Sequence, residues 1–319
     1  MLRTRLIILL PFAVLFAAPS LAQDIEELHQ QDERLANVSS QLFQPNAVFC
    51  DRLMPDFGLV LHSRDQYGST YSGQFSDSTL AISAVAPGSA AAIAGFRAGD
   101  QILAIGETDV VALQPDGNRP ARDIAFDILA DQLVDKPVAI TVERGGSAQS
   151  FDLAAPASCR LLVEITTESG YSARTDGKVM QVSYSLADAV TDDQLAAILA
   201  HELGHVVLRH RQRLDAAGIE GGLFKEVGRN RSVARATEIA ADRISVHLLA
   251  NAGFDPYAAI DFWQTPASQR VSGGIFRSGI YPSVSARIAI LADEIERYLP
   301  FGAAPDYPGH LLDTRGRPL

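Results

Sequence analysis

His201-Glu202-Leu203-Gly204-His205 is the stretch of this sequence best able to do chemistry. Two histidines four residues apart on a helix project from one face, so both imidazoles can reach one Zn2+ at about 2.0–2.1 Å. Glu202 follows the first of them. Its carboxylate could take the proton of a water molecule attacking a carbonyl and hand it to the leaving amine. A catalytic zinc needs a third protein ligand and one open position. Glu238-Ile239-Ala240-Ala241-Asp242 offers the ligand as Glu238. Asp242, four residues on and on the same face, would accept a hydrogen bond from the far nitrogen of a ligand histidine. The competing reading is that both acids pair with Arg235 or Arg243 on a solvated face. No spacing argument makes His210 or His247 a further ligand, and His29, His62 and His310 lie outside the pattern. No nucleophile elbow supports Ser/His/Asp catalysis.

The elements that must hold these residues are legible. Thr191-Asp192-Asp193-Gln194 is a capping box. It opens a helix with Leu195, Ile198, Leu199, Leu203, Val206 and Val207 at helical spacing. A second helix is predicted over Val233–Ala250, stopped at Asn251-Ala252-Gly253. Leu161–Ile165 and Val179–Ser185 read as strands. The loop Ala216–Arg235 contains Gly218, Gly221, Gly222 and Gly228 and joins the two ligand helices. It is a candidate gate over the cleft, as is a polar N-terminal arm that looks helical around Ile25–Leu35.

Residues between Cys50 and Cys159 have a β-rich texture. Leu80–Val85 and Gln101–Ile105 read as strands, with a short helix Ala90–Ala94 between them ended by Gly95. A helix is predicted over Arg122–Leu133. Strands Val138–Glu143 and Ser150–Leu153 join at Gly145-Gly146, a hairpin signal.

Bulk properties bound the rest. The chain has 319 residues, enough for about two domains. With 47% hydrophobic and 20% charged residues it is globular rather than disordered. A formal net charge of −11, with no basic run beyond Arg209–Arg213, argues against a nucleic-acid partner. Arg3 and Arg5, the apolar run Leu6–Ala18 and Ser20-Leu21-Ala22 have the layout of a secretory signal peptide cut after Ala22. An uncleaved N-terminal anchor is the alternative. No other stretch is long and apolar enough to span a bilayer, so no membrane span is expected in the mature chain. The expected location is periplasmic or secreted.

Two families are resembled. Val85-Ala86-Pro87-Gly88-Ser89 through Ile105 is similar to the core signature of a bacterial PDZ domain. There, Phe57-Gly58-Leu59-Val60 would be the loop and strand that bind a ligand's C-terminal carboxylate through exposed backbone amides. Leu195–His205, with Glu238–Arg243 and Ala252-Gly253-Phe254-Asp255-Pro256, resembles the HtpX-like and CAAX-prenyl-protease-type zinc endopeptidases, the forty-eighth metallopeptidase family. That resemblance implies a mainly helical peptidase domain with a small sheet, whose edge strand, placed within Ser172–Ser185, holds the substrate backbone. Membrane-bound members carry several spanning helices, which this chain lacks after its leader. The family often has His-Pro and a later Arg where this chain has Tyr281-Pro282 and Arg287. A Tyr281 hydroxyl or Arg287 could donate to a developing oxyanion, and a structural role is the alternative.

The expected fold is α+β: a small β-rich PDZ domain plus a mainly helical zincin-type metallopeptidase domain with a small sheet. The expected layout is a signal peptide 1–22, an arm 23–54, a PDZ-like domain 55–155, a peptidase domain 160–298 and a tail 299–319. Cys50 and Cys159 flank the PDZ-like segment, where a disulfide would clamp its root; two free thiols are the alternative. The expected function is hydrolysis of exported or misfolded envelope polypeptides with one Zn2+ per chain, substrates being recruited through their C-termini. The alternative is a catalytically silent PDZ adaptor or chaperone-like binding protein.

Overall fold

The structure, a computed structural model, describes residues 21–67, 75, 78–219, 228–271, 281–299 and 307–317. The predicted leader, apart from its last two residues, and the middle of the 216–235 loop lie outside the described residues, as does part of the C-terminal tail.

The chain opens with α1 (Leu21–Phe43). The short strand β1 (Leu53–Pro55) follows, paired antiparallel with β8 (Ala157–Cys159). Between them lies a six-stranded sheet of β2 (Leu59–Ser63), β3 (Leu80–Val85), β4 (Gln101–Ile105), β5 (Thr108–Asp109), β6 (Val138–Arg144) and β7 (Ser147–Leu153). Its order is β2-β3-β4-β6-β7, with β5 beside β4. Two helices accompany it, α2 (Ala90–Ala94) and α3 (Ala121–Ala130). Local chemistry sets these bounds. Ser89 caps α2 by accepting from the Ala92 amide, and Gly95 ends it in the left-handed region. Phe57, Leu80, Ile82, Ile102, Ile105 and Ile140 are among the buried apolar residues of this core.

The second core is larger and mainly helical. It carries a three-stranded sheet of β9 (Leu162–Thr166), β10 (Ala173–Thr175) and β11 (Val179–Ser183), in the order β10-β11-β9. β11 runs parallel to β9 and antiparallel to β10. The expected strand within Ser172–Ser185 is therefore a hairpin, and β10 is its free edge. The helices are α4 (Tyr184–Asp188), α5 (Asp192–Val207), α6 (His210–Ala216), α7 (Gly228–Asn251), α8 (Ala258–Trp263), α9 (Pro266–Val271), α10 (Val284–Tyr298) and α11 (Gly309–Leu312). The capping box on Thr191 and Gln194 forms as expected and fixes the start of α5.

α5 and α7 pack closely, and Gly204 is what permits it. A Cβ there would lie 2.7 Å from Ile244 Cγ2 and 3.2 Å from the Ala241 carbonyl oxygen. The glycine inside the His-Glu-Leu-Gly-His stretch thus lets the two functional helices approach.

The extent of the N-terminal helix differs from the expectation. The helix is far longer than Ile25–Leu35, and it is part of the core: Leu35, Val38, Leu42 and Phe43 are buried in the larger cluster. Arg34 on α1 donates to Asp192 and to the carbonyls of Ala187 and Val190, at the entry to α5. The pattern was masked because polar residues share the buried face. Ser39 is buried and is satisfied by the Ala36 carbonyl.

Cys50 and Cys159 form a disulfide, with Cα atoms 5.5 Å apart. Both cysteines lie in or against the larger core, at the two ends of the segment that carries the six-stranded sheet. Among the described residues no helix is long and apolar enough to cross a membrane.

Candidate metal centre

α5 presents His201, Glu202 and His205, and α7 presents Glu238 and Asp242. His201 Nε2 lies 3.2 Å from His205 Nε2 and 3.5 Å from Glu238 Oε2. His205 Nε2 lies 3.8 Å from Glu238 Oε1. A tetrahedral ion with ligands at about 2.0–2.1 Å needs donors about 3.3 Å apart. The donor set fits.

The placement of protons supports the fit. His201 Nδ1 is 3.0 Å from Asp242 Oδ1 and 3.3 Å from Arg287 Nη2. The guanidinium already donates to both oxygens of Asp242, at 2.7 and 2.5 Å. The shorter contact, to a full negative charge, assigns the ring proton to Nδ1. In the neutral ring, the form a bound cation requires, this aims the His201 Nε2 lone pair at the space shared with His205 and Glu238.

The electrostatics follow from burial and charge. Burial works against the His201 cation, but hydrogen bonds to Asp242 and Glu238 outweigh it and raise His201 to about 9. Burial lowers His205 to about 4. Glu238 and Asp242 are buried, which would push them up. His205 and His201 hold Glu238 below the usual carboxylate range, and Arg287 with His201 does the same for Asp242. Burial raises Glu202 to about 7, and its carboxyl meets a backbone hydrogen-bonding group of Thr175 at the end of the edge strand β10. Strand and acid therefore share one cleft of ≈ 1380 Å³, whose walls also include Trp263 and Tyr281.

The other expected site residues are placed differently. Arg287 is 5% exposed, grips Asp242 with two donors, and lies over the Trp263 ring at 4.0 Å from its centroid. Its strongest contact with the centre is to Asp242, and its Nη2 also lies 3.3 Å from His201 Nδ1 and 3.9 Å from Glu238 Oε2. Tyr281 is half exposed on the cleft wall, and its backbone carbonyl accepts from Arg235. Arg235 and Arg243 do not neutralise the two acids as the surface reading required: Arg243 binds Glu294.

Phe57, Gly58, Leu59 and Val60 form the turn and first strand of the six-stranded sheet, away from the metal centre. Gly58 has φ +73, and a Cβ there would sit 2.2 Å from Ser89 Cβ. Only glycine fits. Its amide, expected to face a ligand carboxylate, already donates to Asp56 Oδ1 at 3.1 Å. Ser40 of α1 and Gln44 just after it hold the other oxygen of Asp56. The space beside the loop is ≈ 70 Å³, closed by α1 residues such as Ser40 and Phe43. That holds a water or two, not a peptide.

One functional candidate was missed. His210, given no role from spacing, lies with its Nδ1 3.0 Å from His205 Nδ1. No glycine or proline marks the turn that brings it there.

A His-Glu-His donor set, its glutamate buried and its histidines partly so, with an acid beside it and an edge strand facing it, defines the class of metal-dependent hydrolase site to which the zincins belong. The comparisons with known proteins agree. Residues 169–221 match the family model of Peptidase family M48, and residues 81–117 match that of a PDZ domain. Residues of this chain are 29% identical, over 144 positions, to the mitochondrial metalloendopeptidase OMA1 of Schizosaccharomyces pombe. That match covers 39% of this chain and 42% of the relative, so the chain spans less than half the length of the curated relative it matches. The likeness to M48 metallopeptidases carrying a PDZ segment is shown by these matches, and the α+β fold by the structure.

Proposed function

We propose that the chain is a zinc endopeptidase acting on polypeptides outside the cytoplasm, with His201, His205 and Glu238 as ligands and Glu202 as the general base. The observation that carries this is the convergence of three ligand atoms, 3.2 to 3.8 Å apart, beside a buried carboxyl and an edge strand. Bound zinc supplies Lewis-acid polarisation of a carbonyl and acidifies water. Everything else is done by the chain. β10 offers backbone groups to pair with an extended substrate, which lays a peptide bond along α5. The Glu202 carboxylate takes a proton from the attacking water and returns it to the leaving nitrogen. Asp242 holds the proton at His201 Nδ1, and Arg287, stacked on Trp263, holds Asp242. Tyr281 is the proposed donor to the developing oxyanion.

The location rests on the leader-like N-terminus and on the disulfide, which persists in oxidising compartments. Exported or misfolded envelope proteins are the proposed substrates. Their recruitment by C-terminus through the Phe57–Val60 loop requires Asp56 to leave the Gly58 amide and α1 to give way beside it, and Asp56, which Ser40 of α1 also binds, is the link between the two. If so, Asp56→Ala binds a C-terminal peptide several-fold more tightly than wild type in a fluorescence titration, by the loss of a competing hydrogen bond. Equal weak binding by both proteins would remove recruitment from the proposal.

The activity itself is tested by hydrolysis of an unfolded casein-like substrate with Glu202→Gln as the partner protein. The variant keeps its zinc and loses about 10²–10⁴ in rate, the usual contribution of a general base. Equal rates in both proteins, or zinc bound without any hydrolysis by wild type, would favour the silent adaptor instead.

A further inference from the structure

His201 and His205 are not held alike. The Nδ1 of His201 faces the anion of Asp242, whereas the Nδ1 of His205 faces the neutral ring of His210 at 3.0 Å. The two rings meet edge to face, centroids 4.9 Å apart. His210 is 1% exposed, and its Nε2 is buried with no hydrogen-bond partner among the described residues.

A special turn produces this contact. α5 ends at Val207, and Arg209 then adopts φ 56, ψ 35, the left-handed region. A residue with a Cβ is held there at a cost of about 1–2 kcal/mol. The break stops the helix, starts α6 at His210, and turns the His210 ring back onto His205. Arg209 pairs with Asp51, but both are well exposed, so this pair alone contributes little to holding the turn.

The proton arrangement follows. For His205 to offer Nε2 to a metal, its ring proton must sit on Nδ1. That N–H then needs an acceptor, and His210 Nδ1 is the atom placed to accept it. His210 must therefore carry its own proton on Nε2, the buried nitrogen without a partner. An unpaired buried N–H costs about 1–3 kcal/mol. Two unfavourable features at one turn, a left-handed arginine and an unpaired imidazole N–H, are expected where a local rule is broken for the sake of a site.

We infer that His210 is a positioning residue for the metal: it accepts the Nδ1 proton of His205, fixes that ring's tautomer and aims its Nε2 at the ion. This rests on the metal-binding reading of His201, His205 and Glu238. His210 does for His205 what Asp242 does for His201, without adding charge. Lacking the acceptor, His205 can move its proton to Nε2 and cease to be a ligand.

The test is the zinc dissociation constant of the full chain, measured by competition with a chromophoric chelator, together with the melting temperature of the metal-free protein. His210→Phe keeps the ring and removes the acceptor. His210→Asn places an amide oxygen near the position of Nδ1. Removing such an outer partner costs about 10–100-fold in metal affinity, so the phenylalanine variant is expected to bind that much more weakly. The asparagine variant is expected to stay within about threefold of wild type, since it restores the acceptor. The metal-free phenylalanine variant should melt no lower than wild type, because it loses an unpaired polar group. Equal zinc affinity in wild type and His210→Phe, or equal loss in both variants, would overturn the inference while leaving the metal site intact. A fall in metal-free melting temperature for His210→Phe with unchanged affinity would make His210 structural. Wild type that binds no zinc would instead overturn the metal reading, and this inference with it.

Discussion

Two groups of histidine and glutamate converge among the described residues: His201, His205 and Glu238 in the cleft, and His247, Glu294 and His310 at the far end of α7 and α10. By residue type they are the same. By the closeness of their contacts they differ. In the second group every close contact joins nitrogen to carboxylate oxygen. Glu294 Oε1 meets His247 Nε2 at 3.0 Å and His310 Nε2 at 2.6 Å, and Glu294 Oε2 takes Arg243 Nε at 2.6 Å. His310 also stacks on Tyr298, centroids 3.9 Å apart. These are complete hydrogen bonds, and they fasten α11 to the two long helices. In the cleft the closest contact is between two nitrogens, and the proton of His201 is drawn to its opposite side by Asp242. Convergence of donors is therefore not enough to identify a metal site. What separates the two groups is how closely the converging atoms satisfy one another without an ion: nitrogen meets carboxylate at 3.0 and 2.6 Å around Glu294, but only at 3.5 and 3.8 Å around Glu238.

The comparison can be broken from either side. The largest expected effect is at Asp242. Asp242→Asn removes the anion that orients His201 and leaves Arg287 buried beside a neutral amide. Breaking a buried pair in this way costs about 3–5 kcal/mol of stability. Zinc affinity should fall about 10–100-fold at the same time. Urea unfolding and zinc titration on one preparation check both. A variant that loses stability but binds zinc like wild type would mean that Asp242 only neutralises Arg287.

A smaller effect is expected at Glu294, without any change in zinc. Glu294→Gln weakens three hydrogen bonds to one buried carboxylate, which is worth about 1–3 kcal/mol. The pH dependence carries the same information. Burial would raise this carboxyl, but His247, Arg243 and His310 hold it down at about 2, against an ordinary value of 4.5. A depressed carboxyl stabilises the fold fully above its unfolded pKa and loses that contribution as pH falls. Wild type should therefore lose stability between about pH 4.5 and 2, and Glu294→Gln should lose less over that window. Parallel acid limbs in the two proteins would show that the cluster is not the anchor described here.

The two groups also differ in how far they could be read from the sequence. The cleft residues were legible because helical spacing does the placing. His201 and His205, and Glu238 and Asp242, are four residues apart, and the capping box at Thr191 announced the first helix. The second group joins residues 47 and 16 apart, on three helices, and no local pattern links them. Arg287 was legible as a residue of the site but not in its contact, because its partner Asp242 is 45 residues away. His210 lies only five residues beyond His205 and was still missed. Its position depends on a left-handed arginine, and sequence signals for that conformation come from glycine and asparagine. The length of α1 was hidden by polar side chains on its buried face. In the PDZ-like part the turns were legible from glycine. That Asp56 binds the Gly58 amide was not, because nothing in the sequence says that Ser40 and Gln44, at the end of the N-terminal arm, fasten Asp56.

The central claim, that one of the two groups is a metal site and the other is not, is tested most directly by zinc content after exhaustive dialysis of wild type, Glu238→Ala and His247→Ala. The account predicts one zinc per chain in wild type and in His247→Ala, and none in Glu238→Ala. Zinc retained by Glu238→Ala, or lost from His247→Ala, would contradict it.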